Sequence, residues 1–315
     1  MPIFKIQHIT KYLYDRPVQE SVNEVKIFPY QCDQQETLQY ELNVSGQPMV
    51  DTFQDYWGNK TGVFNLLAAH KELVIESRVV VRVIPVNPGN DAEGQWERLN
   101  EELETRLSLL ELAAARPVAK QHEVDLIAEK VRHEKSVAST LERCNDYIYK
   151  NFEYIKGITT IETTVDEILE QSAGVCQDFA HLMLQILRTL RVPSRYVSGY
   201  VCPNKSGMRG EGATHAWVEA WLPGRGWTGI DPTNNIWVSD KHVKLAVGRD
   251  FADCSPVKGT FKGPARQQLS VYVSIGYEDG RVFEETNKVR LLSQPGPEED
   301  NLFDESLAAQ QQQQQ

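Results

Sequence analysis

Through the first 88 residues, hydrophobic positions alternate with polar ones, as in LQYELNV (38–44) and ELVIESRVVVRVI (72–84), and FPYQCDQQ, SGQP and DYWGNK separate the runs. A period of two punctuated by Gly, Pro and Asn predicts strands, so this segment reads as an antiparallel β domain. The pattern changes at Asn87, Pro88, Gly89 and Asn90, a cluster of turn residues expected to form a linker. Beyond it EGQWERLNEELETRLSLLELAAA has helical spacing, and further helices are predicted near 117–128, 133–151 and 165–171. Thr164 and Glu167 are spaced as a capping box for the last of these.

Residues 176–191, CQDFAHLMLQILRTLR, carry apolar side chains at 179, 182, 183, 186, 187 and 190, which is one stripe of a buried helix. Strand-like RYVSGYV (195–201), a loop at 203–213, ATHAWVEAWL, the turn PGRG and WTGIDPT follow. The loop holds Gly207, Gly210, Gly212 and Ser206, and reads as an edge of the cleft before the next strand. A last β run, QLSVYVSIGY (268–277), is expected to close the same sheet. The chain then divides into a β domain (1–88), a helical segment (89–160), a catalytic core (161–292) and an acidic, glutamine-ending tail (293–315) expected to be disordered.

Composition narrows the partners. Lys and Arg number 33 against 44 Asp and Glu, and a net charge of -11 argues against nucleic acid or an anionic membrane surface. No run approaches the roughly 18 apolar residues of a membrane span. The start, MPIFKIQHITKYLYD, lacks the basic-then-apolar order of a signal peptide, so a cytoplasmic location is expected. The five cysteines are odd in number and form no CxxC pair, which indicates neither a disulfide framework nor a zinc knuckle.

Cys176 stands where the buried helix begins. A thiol with the reference pKa of about 8.5 is only roughly 3% ionised at pH 7, so activation gains up to about thirtyfold. A helix start favours an anion there, and His215 is the candidate imidazolium partner and proton shuttle. Asp231, on the strand after PGRG, is the candidate group to orient His215. Register tests this. If only Pro223 to Gly226 formed the loop, Asp231 would point to the opposite face from His215; with Leu222 opposite Gly226, Asp231 becomes a diagonal neighbour of His215.

The run GVCQDFAHLMLQILRTLRVPSRYVSGYV, then THAWVEAWLPGRGW and GIDPTN, resembles the core of bacterial transglutaminase-like proteins. HITKYLYDRPVQES and DYWGN resemble the β domain that often precedes that core, so the resemblance spans nearly 290 residues. It implies an α+β fold of the papain-like, transglutaminase-core kind, helices packed on an antiparallel sheet, preceded by the β domain. It also implies Cys176 as nucleophile, His215 as general acid and base, and Asp231 as its orienter. The implied chemistry is attack on an amide of a peptide or protein through a thioester, with no cofactor and no metal, and hydrolysis ahead of amine transfer. No calcium-loop pattern is present. The backbone N–H of Cys176 is one oxyanion donor, and Gln171 is a candidate for the second.

Other residues read more plainly. Cys32, Cys144, Cys202 and Cys254 are packing or surface thiols. His181 lies about 140° around the helix from Cys176 and is expected to face elsewhere, which also disfavours a metal site of Cys176, His181, His215 and Asp231. Asp178 is expected to stabilise the helix start. Trp217, Trp221 and Trp227 are candidates for a substrate wall, with sheet packing the commoner role. The rival function is a peptide-binding or assembly module that keeps the fold without turnover.

Overall fold

The computed structural model describes residues 1–85, 95–160, 162–202, 208–209, 214–277 and 282–283. The expected linker at 87–90, most of the loop at 203–213 and the tail at 293–315 lie outside them. The alternating runs form six strands: β1 (Ile3–Val18), β2 (Ser21–Val25), β3 (Gln35–Val44), β4 (Asp51–Gln54), β5 (Lys60–Leu66) and β6 (His70–Val83). Along β1 the buried positions alternate, with Phe4, Ile6, His8, Thr10 and Tyr12 inward, because successive side chains of a strand point to opposite faces.

The predicted first helix is two: α1 (Trp96–Thr105) and α2 (Leu107–Ala113). Arg106 between them is extended, and its guanidinium lies over the Trp221 ring at 5.2 Å, a cation–π contact. Next come α3 (Gln121–Val131), α4 (Val137–Asn151), β7 (Glu153–Tyr154), α5 (Val165–Gln171), β8 (Ala173–Gly174) and α6 (Cys176–Thr189). The capping box of α5 forms as its spacing predicts. All residues of α6 except His181 and Thr189 are buried, so this helix is enclosed rather than merely amphipathic.

After α6 come β9 (Ser194–Val201), β10 (Thr214–Leu222), β11 (Gly226–Asp231), β12 (Ile236–Trp237) and β13 (His242–Gly248). They make one antiparallel sheet in the order β12-β11-β10-β9-β13. Ala216, Val218, Ala220 and Leu222 face the helices and share a core with Phe179, Leu182, Met183 and Ile186. On the other side Tyr200, Val243 and Leu245 pack against Phe4, Val79, Val273 and Ile275 of the N-terminal sheet. The fold is therefore α+β, with helices, central sheet and N-terminal β region in layers that share hydrophobic cores.

The chain closes with α7 (Phe251–Cys254), β14 (Val257–Phe261), β15 (Gln267–Tyr277) and β16 (Val282–Phe283). Here the structure corrects the sequence reading. β15 does not join the central sheet; it pairs with β1 from Phe4↔Tyr277 to Tyr14↔Gln267. β14 likewise pairs with β2. The place beside β9 is filled by β13, and β1 has β6 on its other side, so β15 covers an edge of β1 that would otherwise lack partners. Among the described residues no helix is long and apolar enough to cross a membrane.

Candidate active site

Cys176 is the first residue of α6 and is fully buried. Val175 before it is extended and offers no side-chain acceptor, so the cap comes from the other direction. Asp178 Oδ2 accepts from the Val175 N–H at 2.8 Å and from the Thr159 hydroxyl at 2.7 Å. This is the reciprocal half of a capping box, and it holds the turn that carries Cys176. It requires glycine at 174, because a Cβ there would stand 2.7 Å from Asp178 Oδ2. Gly174 is also fixed by pairing with Tyr154 across β7 and β8.

The β10–β11 hairpin sets the other two groups. Its loop is Pro223 to Arg225, with Gly224 and Gly226 at φ of 78° and 86°, the left-handed region that glycine enters without strain. The register runs from Leu222↔Gly226 to Val218↔Ile230, the odd-length loop that the sequence reading requires. His215 on β10 and Asp231 at the end of β11 then meet, with Nε2 donating to Oδ2 at 2.9 Å. Both residues are fully buried. With Nε2 committed to Asp231, Nδ1 is a buried ring nitrogen without a hydrogen-bond partner, and Cys176 is near enough for its charge to act on the imidazole.

Asp231 is itself held on several sides. Its Oδ1 accepts from the Thr233 N–H at 2.9 Å and the Asn234 N–H at 3.3 Å, and Oδ2 accepts from Asn234 Nδ2 at 2.8 Å. His242, on β13, approaches Oδ2 through Nε2 at 3.4 Å, while its Nδ1 accepts from the Ser239 N–H. Burial alone would raise the Asp231 carboxyl, but the charge and hydrogen bond of His215, with His242, hold it well below the usual range. Burial alone would lower His215; the charges of Asp231 and Cys176 and the hydrogen bond to Asp231 outweigh it and raise the imidazole to about 10. The ring is thus built to stay protonated at neutral pH beside a sulfur.

Cys176, His215 and Asp231 are brought together; the other two candidate residues stand elsewhere. Gln171 is exposed at the end of α5, and Ser172, with a φ of 49°, turns the chain before it enters β8 and the buried Cys176. Its sequence-based role as oxyanion donor does not fit that place. Trp217 is fully buried rather than on a groove wall; its ring stacks on His215 at 6.3 Å and meets His242 edge-on at 5.3 Å. Trp221 and Trp227 contact each other at 5.4 Å, and the Trp221 N–H donates to Glu102, tying the sheet to α1. His181 packs on Tyr196, and its Nε2 accepts from the Phe251 N–H, outside the group around Asp231. Among the described residues no cluster of three or more His, Cys, Asp and Glu is placed to hold a metal.

Sequence reasoning missed Thr159, Asn234, His242 and Tyr154. Tyr154 is paired with Gly174, and its ring meets Phe179 of α6 at 6.3 Å. Burial, and then the charge of Cys176, push its phenol above the ordinary range, so it is a proton donor at neutral pH. Asn145, from α4, donates to the Asp231 main-chain carbonyl at 3.1 Å when its amide nitrogen faces it.

Comparison with known proteins agrees with this architecture. Residues 125–232 match the transglutaminase-like superfamily, and residues 4–82 match the bacterial transglutaminase-like N-terminal region. A Mycobacterium leprae protein is 31% identical over 276 residues, covering 86% of this chain and 97% of that one. The chain therefore belongs to the bacterial transglutaminase-like family. A protein-glutamine gamma-glutamyltransferase of Pseudomonas aeruginosa is 35% identical over 107 residues, which cover 32% of this chain and 16% of that enzyme. The crystal structure of a candidate cysteine protease from Cytophaga hutchinsonii superposes with a TM-score of 0.71, covering 92% of this chain and 96% of that one at 21% identity, which shows a shared fold.

Proposed function

We propose that this protein is a cysteine peptidase or amidase that cleaves amide bonds of peptides or proteins through an acyl-thioester on Cys176. The observation that carries the reading is the fully buried imidazole of His215, bonded through Nε2 to Asp231 at 2.9 Å, with Nδ1 left unbonded and Cys176 near enough for its charge to act on the ring. In the first half-reaction the Cys176 thiolate attacks the amide carbonyl carbon. The C–N bond then breaks as His215 delivers its Nδ1 proton to the departing amine. In the second half-reaction His215 takes a proton from water, the hydroxyl attacks the thioester carbonyl, and the thiolate leaves. Asp231 keeps Nε2 occupied, so the proton traffic runs through Nδ1. The backbone N–H of Cys176 and the Tyr154 hydroxyl are the two oxyanion donors; Tyr154 is held by pairing with Gly174, which stands two residues before the nucleophile along the chain.

Water is far more abundant than any amine, and hydrolysis leads for that reason. The second reading is transfer of the acyl group to a primary amine, favoured by the likeness to the Pseudomonas glutamyltransferase over 107 residues. A peptide library incubated with and without a primary amine, with products read by mass, tests both. Hydrolysis predicts free acids and released amines, unchanged by added amine and abolished in Cys176→Ala. Amine-containing adducts would replace the hydrolytic reading, and intact substrate in every arm would favour the binding-module alternative.

A further inference from the structure

A cavity of about 790 Å³ lies on the far side of α6 from the pairing of β7 with β8, between α5, α6 and α7 and the strands β2, β5 and β14. None of Cys176, His215 and Asp231 lines it. Most of its wall is apolar, including Val63, Val165, Leu184 and Val257. Its volume suits a small organic molecule.

The polar part of the wall is unequal in charge. Arg188 lines the cavity yet is only 6% exposed. Its Nε and Nη2 donate to the main-chain carbonyls of Leu112, Ser194 and Arg249, while Nη1 makes no hydrogen bond and no carboxylate pairs with it among the described residues. Burial, and then the neighbouring guanidinium of Arg249, lower Arg188 to about 9 against the opposing charges of Asp250 and Asp253. The carboxylates nearby are engaged: Asp250 pairs with Arg116 at 2.8 Å and caps the Ala252 N–H, and Glu24 pairs with Lys26 at 2.9 Å. His181 adds a donor, since Nε2 accepts from Phe251 and a neutral ring then carries its proton on Nδ1.

We propose that this cavity is a binding site for a small carboxylate with an apolar body, its anionic head on Arg188 and its body along the apolar wall. A buried guanidinium with an unused donor is stabilised by an anion, and the apolar wall excludes a fully hydrated one such as phosphate. Binding is independent of the chemistry at Cys176, so the test reads binding alone.

Octanoate and octanamide share a body and differ in charge, and calorimetric titration of each into the full-length protein separates head from tail. The expected result is saturable one-to-one binding of octanoate, about tenfold or more tighter than octanamide, as one charge-assisted contact supplies. Arg188→Met is expected to bring octanoate down to the level of octanamide. Because Arg188 also holds three carbonyls, that variant can fail to fold. Val118→Trp, which fills the cavity from a half-buried position in its wall, is then the second arm, and it should abolish both isotherms. Equal affinity for the two compounds, no saturation by octanoate, or unchanged octanoate binding in Val118→Trp would overturn the proposal.

Discussion

At the scale of single residues, the site depends on where protons sit. His215 holds its proton more tightly folded than unfolded, rising from 6.5 to about 10 through Asp231 and Cys176 against the effect of burial. Its contribution to stability is therefore full below about pH 6.5 and declines as the pH rises through about 10. The alkaline limb of kcat/KM, which follows loss of the imidazolium, is expected well above neutral pH. Asp231→Asn removes the carboxylate that raises the ring, so the limb should move to lower pH; an unchanged limb would mean another group controls it. Tyr154→Phe removes the proposed oxyanion donor and should lower kcat by about 10² to 10³ while KM changes little. Cys176, His215 and Asp231 were legible in the sequence because each stands beside a marked feature: a helix start, a strand and a tight hairpin. His242 and Asn234 were not, since a histidine on a distant strand and an amide after a strand end carry no local signal; only the folded sheet brings them to Asp231.

At the scale of elements, the start of α6 is the most constrained segment. Gly174→Ala would place a methyl 2.7 Å from Asp178 Oδ2, forcing the carboxylate off the Val175 N–H. The expected loss is about 1–3 kcal/mol of stability, read as a lower thermal midpoint, with a greater loss of activity because Cys176 lies in the displaced turn. Activity retained at wild-type level would show that the cap does not position the sulfur. The α6 stripe was readable from spacing, but its enclosure was not, because Ala180, Leu184 and Gln185 on its other faces are covered by parts of the chain distant in sequence. Gln171 was misplaced for a related reason: nearness along the chain says nothing about the left-handed turn at Ser172, which separates an exposed helix end from a buried strand.

At the scale of the whole molecule, the N-terminal β region and the C-terminal strands are one structure. A chain ended after Pro256 would leave β1 paired only with β6 and β2 only with β5, and would uncover Phe4, Tyr200 and Val243, which share a core with Val273 and Ile275. We expect that truncation to abolish cooperative thermal unfolding monitored by circular dichroism, whereas a sharp transition would show that the C-terminal strands are dispensable. The sequence pattern identified β15 as a strand, yet alternation alone cannot choose a partner; the choice follows from which edges remain open once β13 has closed the central sheet. The central proposal is that one sulfur, that of Cys176, takes an acyl group from an amide. The most direct measurement is intact mass after acid quench of the protein mixed with a reactive peptide amide. The account predicts a single acyl group on Cys176 that disappears with time in water, and none in Cys176→Ala or His215→Ala; an adduct on another cysteine, or turnover persisting in Cys176→Ala, would contradict it.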